Sequence, residues 1–322
     1  MRSTTFFQDP TTRQASAWKR SARWLLAGSL AALLSLTACG GSGDDIDRGP
    51  SQIPVTAKLN GLYWDAGESR LYLTDDNSNA IRVWDGEKDF NEAFKLTTPP
   101  ESGPNLGQLT RQDGTFYVTR FGFGQHGAVV AVPKSGPAYD LQGLDPERRR
   151  IGMARTPEGT LLVGWFRGGR AGGNTGTISE LTVDGDQGSE RELVTGLGKP
   201  AGLAVVGDEL FVTDQNTAQL LAYSLKAVRA EPATAEDGRL VAQFATSDQL
   251  DLMTAASDGT LYFGGNGGSL YQVSPTGAVK ELAKGWSRVR GVALDERNDR
   301  LFVIDAGAQA SDPSYIRIVP ID

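Results

Sequence analysis

Two residue types that build many metal and redox centres are almost missing. The 322-residue chain has one cysteine, Cys39, and one histidine, His126. A single cysteine excludes a disulfide framework and a thiolate metal cluster. A single histidine excludes multi-histidine zinc sites, and no G-x-S-x-G elbow is present to activate a serine. Positive charge is also short, with 32 Lys and Arg against 39 Asp and Glu. That balance argues against nucleic acid as a partner, because its recognition needs a basic footprint. Long apolar runs are lacking too: the run at residues 24–36 is 13 residues, too short to span a bilayer as a helix. Helical patterning is sparse. The only candidate in the second part of the chain, residues 225–236, is interrupted by Pro232.

What is abundant is glycine, 40 residues, placed between short apolar runs. Residues 200–225 show the pattern most clearly. Gly202-Leu-Ala-Val205, Leu210-Phe-Val-Thr213 and residues 219–225 read as three strands, separated by Gly207-Asp-Glu209 and a polar loop at 214–218. The chain repeats this unit. Leu71-Tyr-Leu73, Phe116-Tyr-Val118, Leu161-Leu-Val163, Leu210-Phe-Val212, Leu261-Tyr-Phe263 and Leu301-Phe-Val303 stand 45, 45, 49, 51 and 40 residues apart. A glycine followed by another residue lies upstream of five of them, at Gly61, Gly107, Gly152, Gly202 and Gly291; Leu252-Met253 replaces it in the fifth copy. Six copies of about 45 residues, each worth four strands, predict an all-β chain folded as a six-bladed β-propeller.

The repeats occupy residues 51–322. The last copy has only one strand after its anchor, at 315–320, so it is a strand short. An unpaired edge there is a liability, and the spare strand at 52–57 is expected to complete the last blade. Outer strands are expected at 93–96, 191–194, 240–244 and 279–282.

Residues 1–38 read as a secretion signal. Arg13, Lys19, Arg20 and Arg23 precede the apolar run, and Leu36-Thr-Ala-Cys39 follows it. This segment resembles a bacterial lipoprotein signal, which implies cleavage before Cys39 and acylation of Cys39. Gly40, rather than Asp, follows the cysteine, so the expected destination in a Gram-negative host is the outer membrane, facing the periplasm. Residues 39–50 form a lipidated tether of small and acidic residues. Removal of residues 1–38 takes away five of the basic residues and one acid, leaving 27 against 38 and a net charge of −11. The membrane partner is therefore reached through lipid on Cys39 and not through basic residues.

Three local patterns invite chemistry and lose it on inspection. Gly122-Phe-Gly-Gln-His-Gly127 matches the dinucleotide fingerprint, but a strand-like run follows where a helix is required. Asp184-Gly-Asp186, with Glu190 and Glu192, lacks the ligand spacing and helices of a calcium loop and reads as a hairpin tip. His126 sits in a loop with no partner suggested by spacing.

In a propeller the loops between second and third strands share a face with the starts of the innermost strands. The residues assigned to that ligand-binding face are Asn60, Asp75, Arg120, Arg150, Trp165, Asp214, Arg290 and Asp305. Arginines mixed with carboxylates in a concave mouth suit a small polar or anionic ligand. The loop at 168–173, Gly-Gly-Arg-Ala-Gly-Gly, is the longest of the set.

Pro200-Ala-Gly-Leu-Ala-Val, continued by Leu210-Phe-Val-Thr-Asp214, resembles the NHL repeat. Over residues 51–322 the blade pattern resembles the regucalcin/gluconolactonase (senescence-marker-protein) family. Asn60-Gly-Leu-Tyr-Trp64 with Leu71-Tyr-Leu-Thr-Asp75 is similar to that family's first blade, and Asp251-Leu-Met with Asp258-Gly-Thr-Leu-Tyr262 to its fifth. The resemblance implies lactone hydrolysis with one divalent cation, calcium or zinc, held at the ring centre by Glu, Asn and Asp. Asp251 matches the Asp; Asn60 stands where the family has Glu, and Ala201 where it has Asn. With one donor of three retained, no cofactor is expected beyond, at most, that single cation on Asp251. The leading expectation is a lipid-anchored envelope propeller that binds a small molecule or a protein partner without catalysis. The alternatives are a divergent metal-dependent lactonase and a scaffold in an envelope assembly.

Overall fold

The computed structural model describes residues 51–86, 89–168, 173–309 and 311–321. The signal segment, Cys39, the tether and most of the 168–173 loop lie outside the described residues. Six antiparallel sheets follow one another along the chain. Strand β1 (Gln52–Val55) precedes blade one, which is β2 (Leu59–Asp65), β3 (Arg70–Asp75), β4 (Ala80–Trp84) and β5 (Asn91–Lys95). Blade two is β6 (Leu106–Gln112), β7 (Thr115–Arg120), β8 (Ala128–Val132) and β9 (Tyr139–Asp140). Blade three is β10 (Arg149–Arg155), β11 (Leu161–Gly168), β12 (Asn174–Asp184) and β13 (Gln187–Leu197). Blade four is β14 (Pro200–Val206), β15 (Glu209–Asp214), β16 (Gln219–Ser224) and β18 (Arg239–Gln243). Blade five is β19 (Leu250–Ala255), β20 (Leu261–Gly265), β21 (Leu270–Val273) and β22 (Val279–Ala283), and blade six has β23 (Val289–Asp295), β24 (Arg300–Asp305) and β25 (Ser314–Pro320).

The ring closes as the strand count predicts. β1 pairs antiparallel with β25, from Gln52 opposite Arg317 to Val55 opposite Ser314, and supplies the fourth strand of blade six. Alternation sends Ile53 and Val55 inward, where they join the core between blades six and one. The helical candidate at 225–236 forms a helix only in its first part, before Pro232, and a strand that was not expected follows it. Between β16 and β18 the chain makes a short helix, α1 (Leu225–Ala230), capped by the Ser224 side chain, and a two-residue strand, β17 (Ala233–Thr234). β17 pairs in parallel with β13 and so gives blade three a fifth strand from blade four's connection.

The core is divided into six clusters, and each fills the gap between two adjacent blades. This follows from period-two alternation: Leu71 and Leu73 of β3 face blade six, while Tyr72 between them faces blade two. At the ring centre the repeated glycine has a steric cause. A Cβ on Gly61 would sit 2.5 Å from the Gly107 carbonyl oxygen, and one on Gly202 would sit 2.5 Å from that of Asp251. The threonines that end the second strands use this closeness. Thr74 Oγ1 accepts from Gly61 N (2.9 Å) and donates to Gly107 O (3.1 Å); Thr213 Oγ1 accepts from Gly202 N (2.7 Å) and donates to Asp251 O (2.8 Å). In blade five, where Leu252 replaces the glycine, Gly264 replaces the threonine, so bulk moves from one strand to its neighbour.

Candidate functional site

One end of the central channel opens into a cavity of about 510 Å³. The first residues of the inner strands form its floor. Asn60, Leu106, Ile151, Asp251 and Arg290 all line it, and each directly precedes the repeated glycine or its replacement. Ala201, at the same position of blade four, is fully buried.

The eight residues assigned to this face from sequence therefore separate into two groups. Asn60 and Arg290, together with Asp251, reach the cavity. Arg150 does not, because the register is one residue off: Ile151 occupies the mouth position and Arg150 points into the blade. A one-residue slip along a strand moves a side chain to the opposite face. Arg150 is fully buried and forks onto Glu190, with Nε to Oε1 at 2.8 Å and Nη2 to Oε2 at 2.9 Å. Glu190 and Glu192 belong to this network and not to a cation loop. Arg148 donates to both, at 3.0 and 2.7 Å, and lies 4.0 Å from the Trp165 ring centroid. Among the described residues no group of three His, Cys, Asp or Glu is placed to hold a metal ion.

Asp75, Arg120, Trp165, Asp214 and Asp305 occupy one repeat position, the residue two beyond the anchor's last apolar residue, and none of them lines the cavity. All five are 1–4% exposed. The three aspartates hold the loop that leads into the inner strand. Asp214 accepts from Gly198 N (2.7 Å) and Lys199 N (2.8 Å), Asp305 from Ser287 N (2.9 Å), and Asp75 from Lys58 N (3.3 Å). Asp305 also pairs with Arg317 at 2.6 Å. Trp165 donates to Ser179 Oγ at 2.8 Å. Arg120 reaches Thr97 Oγ1 at 3.2 Å, and burial lowers its pKa from the usual arginine value. These side chains shape the mouth from behind.

The cavity's charge comes mostly from residues the sequence did not single out. Arg288 and Arg290 flank Val289, so alternation turns both toward the mouth while Val289 is buried. Arg290 bonds Asn60 Oδ1 through Nη1 and Asn266 Oδ1 through Nε (3.2 Å), and its Nε lies 3.8 Å from Asp251 Oδ2. Asn266 Nδ2 donates to the same Asp251 oxygen at 2.9 Å. Lys58 pairs with Asp76 at 3.2 Å. Lys199 Nζ donates to Gln215 Oε1 at 2.5 Å, and Arg288 donates to the Gly307 carbonyl. Among the described residues neither Lys199 nor Arg288 is in an ion pair with a carboxylate. Burial pushes the Lys199 ammonium down from its usual pKa; Asp251 opposes this, and Arg290 and Arg149 add to it. Burial followed by the charge of Arg290 lowers Arg288 in the same direction, and Asp312 opposes this. The signal that could have found Lys199 and Arg288 is the step just before each inner strand, which the loop held by the aspartates aims at the mouth.

The donor set does not fit a divalent cation. Hard cations take several oxygen donors, preferably charged. Here the one carboxylate at the matched position, Asp251, is engaged by Asn266 and lies beside Arg290, whose guanidinium brings positive charge to the ring centre.

No protein-family model and no curated protein matches the sequence. Solved structures match the fold. A luciferin-regenerating enzyme is 18% identical with a TM-score of 0.64, the alignment covering 84% of this chain and 95% of that one. Regucalcin from Agrobacterium tumefaciens, described as a calcium-binding protein, is 14% identical with a TM-score of 0.61, over 84% and 97%. A gluconolactonase from Xanthomonas campestris is 13% identical with a TM-score of 0.61, over 82% and 86%. With this ring of six sheets, its closure and these neighbours, the chain has the six-bladed β-propeller fold of the regucalcin and gluconolactonase type.

Proposed function

We propose that this protein is an anion receptor: a propeller held in the bacterial envelope by lipid on Cys39, on the periplasmic side of the outer membrane, that binds a small polar anion in its mouth without catalysis. One observation carries the reading. Lys199 and Arg288 line a partly desolvated cavity beside Arg290, and among the described residues neither forms an ion pair with a carboxylate. Removing a charge from water is costly unless a partner replaces the water, so such a cluster is completed by an anion that arrives from outside. A guanidinium presents its donors as a planar fork that matches carboxylate or phosphate. Arg290 commits Nε and Nη1 to Asn266 and Asn60, while among the described residues no contact uses Nη2.

The second reading is a metal-dependent lactone hydrolase. Asp251 at the matched position and the gluconolactonase fold favour it; the donor set around Asp251 opposes it. Calorimetric titration of the purified protein with acetate and inorganic phosphate, and separately with calcium and zinc, tests both. The receptor reading expects saturable anion binding that Arg290→Gln removes, and no stoichiometric cation. Stoichiometric metal lost in Asp251→Ala, with no anion binding, overturns it in favour of the hydrolase.

A further inference from the structure

The glycine motif at 122–127 takes part in neither a nucleotide site nor the charge cluster, yet its backbone is specialised. Gly122 has φ of +54° and Gly124 has φ of +77°, in the region that side chains rarely adopt. A Cβ on Gly122 would overlap the His126 carbonyl and the Gly127 nitrogen, so the loop folds back on itself there. The residue between the two glycines is Phe123, which is 51% exposed. It is one of three exposed large hydrophobic residues among the described ones, and the one that lines the cavity.

Phe123 is held edge-on to Phe121, with centroids 4.8 Å apart at 62°, and Phe121 is held likewise to the buried Phe166, at 5.4 Å and 62°. Arg149 sits among the three rings, its guanidinium carbon 5.5–5.9 Å from each centroid. Lys199 Nζ is 5.4 Å from the Phe166 centroid. Phe121, Phe123, Leu106 and Ile151 thus make an apolar side to the cavity from blades two and three, while Asn266, Arg288 and Arg290 make a polar, cationic side from blades five and six. A ring exposed to water at the rim of a cavity loses that cost when a flat apolar group packs on it.

The geometry points to an amphiphilic anion as the ligand: an aryl carboxylate, or a similar acid whose planar apolar ring lies against Phe123 and Phe121 while its carboxylate meets Arg290 and Lys199. This rests on the anion-receptor reading and names the ligand class for the same site. The ring supplies area that acetate lacks, and acetate supplies the charge alone.

The test is calorimetric titration of the full-length protein in detergent with sodium benzoate and with sodium acetate. Benzoate is expected to bind about tenfold more tightly, as one well-packed ring contact allows. In Phe123→Ala, benzoate should fall to within about twofold of acetate, with acetate unchanged, because only the ring contact is removed. Phe123 is half exposed, and an unchanged melting temperature would show that the variant is folded. Equal affinities for the two acids in the wild type, with Arg290→Gln losing both, overturn the aryl assignment and leave the anion receptor standing. A benzoate preference that survives in Phe123→Ala overturns the role given to the loop. Failure of both acids to bind overturns both readings.

Discussion

A guanidinium and an ammonium that share a desolvated cavity each raise the cost of keeping the other charged, and Lys199 shows the effect. Burial is the largest cause of its lowered pKa, followed by Asp251, which opposes the shift, then Arg290 and Arg149. The sign has two consequences over one pH window, between the lowered pKa and the ordinary lysine value of 10.5. An unfolded chain still binds the proton there while the folded one has released it, so stability rises with pH through the window. An anion in the mouth restores the proton to Lys199, so anion affinity falls as pH rises through the same window. Benzoate titrations and thermal unfolding from pH 7 to pH 10, on wild type and Lys199→Met, read both slopes. The two slopes should differ in sign in the wild type, and the variant should lose the Lys199 part of each. An affinity that does not fall more steeply in the wild type than in Lys199→Met would show that Lys199 does not face the anion. The repeat-position aspartates contrast with it. Asp214 and Asp305 lie close to the mouth, yet the oxygens of Asp214 accept from the N–H groups of Gly198 and Lys199, and those of Asp305 from Ser287 N–H and the Arg317 guanidinium. Charge near a mouth is a ligand site only where it is not already spent on the backbone.

The architecture could be read at the level of elements because each element is written by a strong local rule. The spacing of the apolar three-residue anchors set the second strands, and turn residues set where they stop. Counting the strands in the last copy placed β1 at the seam, where it is found. What the pattern could not carry was side-chain direction at strand ends. The inner strands of all six blades have register shifts close to their starts, so simple alternation fails there. Arg150 is placed in the mouth from sequence although it stands two residues before Gly152, whereas Asn60 and Arg290 stand one before their glycines, the position that Ile151 holds in blade three. The fifth strand of blade three was equally hidden, since two residues, Ala233 and Thr234, carry no periodicity. The seam itself is testable. Ile53 and Val55 are 4% and 6% exposed within the cluster between blades six and one. Burial of two such side chains is worth on the order of 3–6 kcal/mol, before counting the exposed edge of β25 that their loss would leave. Deletion of residues 51–57 should lower the urea midpoint by a corresponding amount. A midpoint equal to that of the intact protein would mean that β1 contributes nothing to closure.

At the scale of the whole molecule, the mouth and the proposed membrane attachment place opposite demands on charge. The cavity concentrates Arg288, Arg290 and Lys199, yet residues 39–322 carry a net of −11, so the excess negative charge lies elsewhere on the surface. An anionic bilayer surface repels such a chain, and no cluster of Lys and Arg follows Cys39 to offset it. Attachment then depends wholly on the acyl chains proposed for Cys39. Each buried CH₂ contributes about 0.8 kcal/mol, so two or three chains give stable anchoring where one gives marginal binding. Cys39→Ser should therefore move the protein from the membrane fraction to the soluble fraction of cells, at low and at high salt alike. Release by salt in the wild type would mean an electrostatic attachment instead, and a Cys39→Ser protein that stays with the membrane would remove lipidation as the cause. The same variant keeps Arg290 and the aromatic rim intact, so benzoate should bind it as tightly as the wild type if mouth and anchor are independent parts.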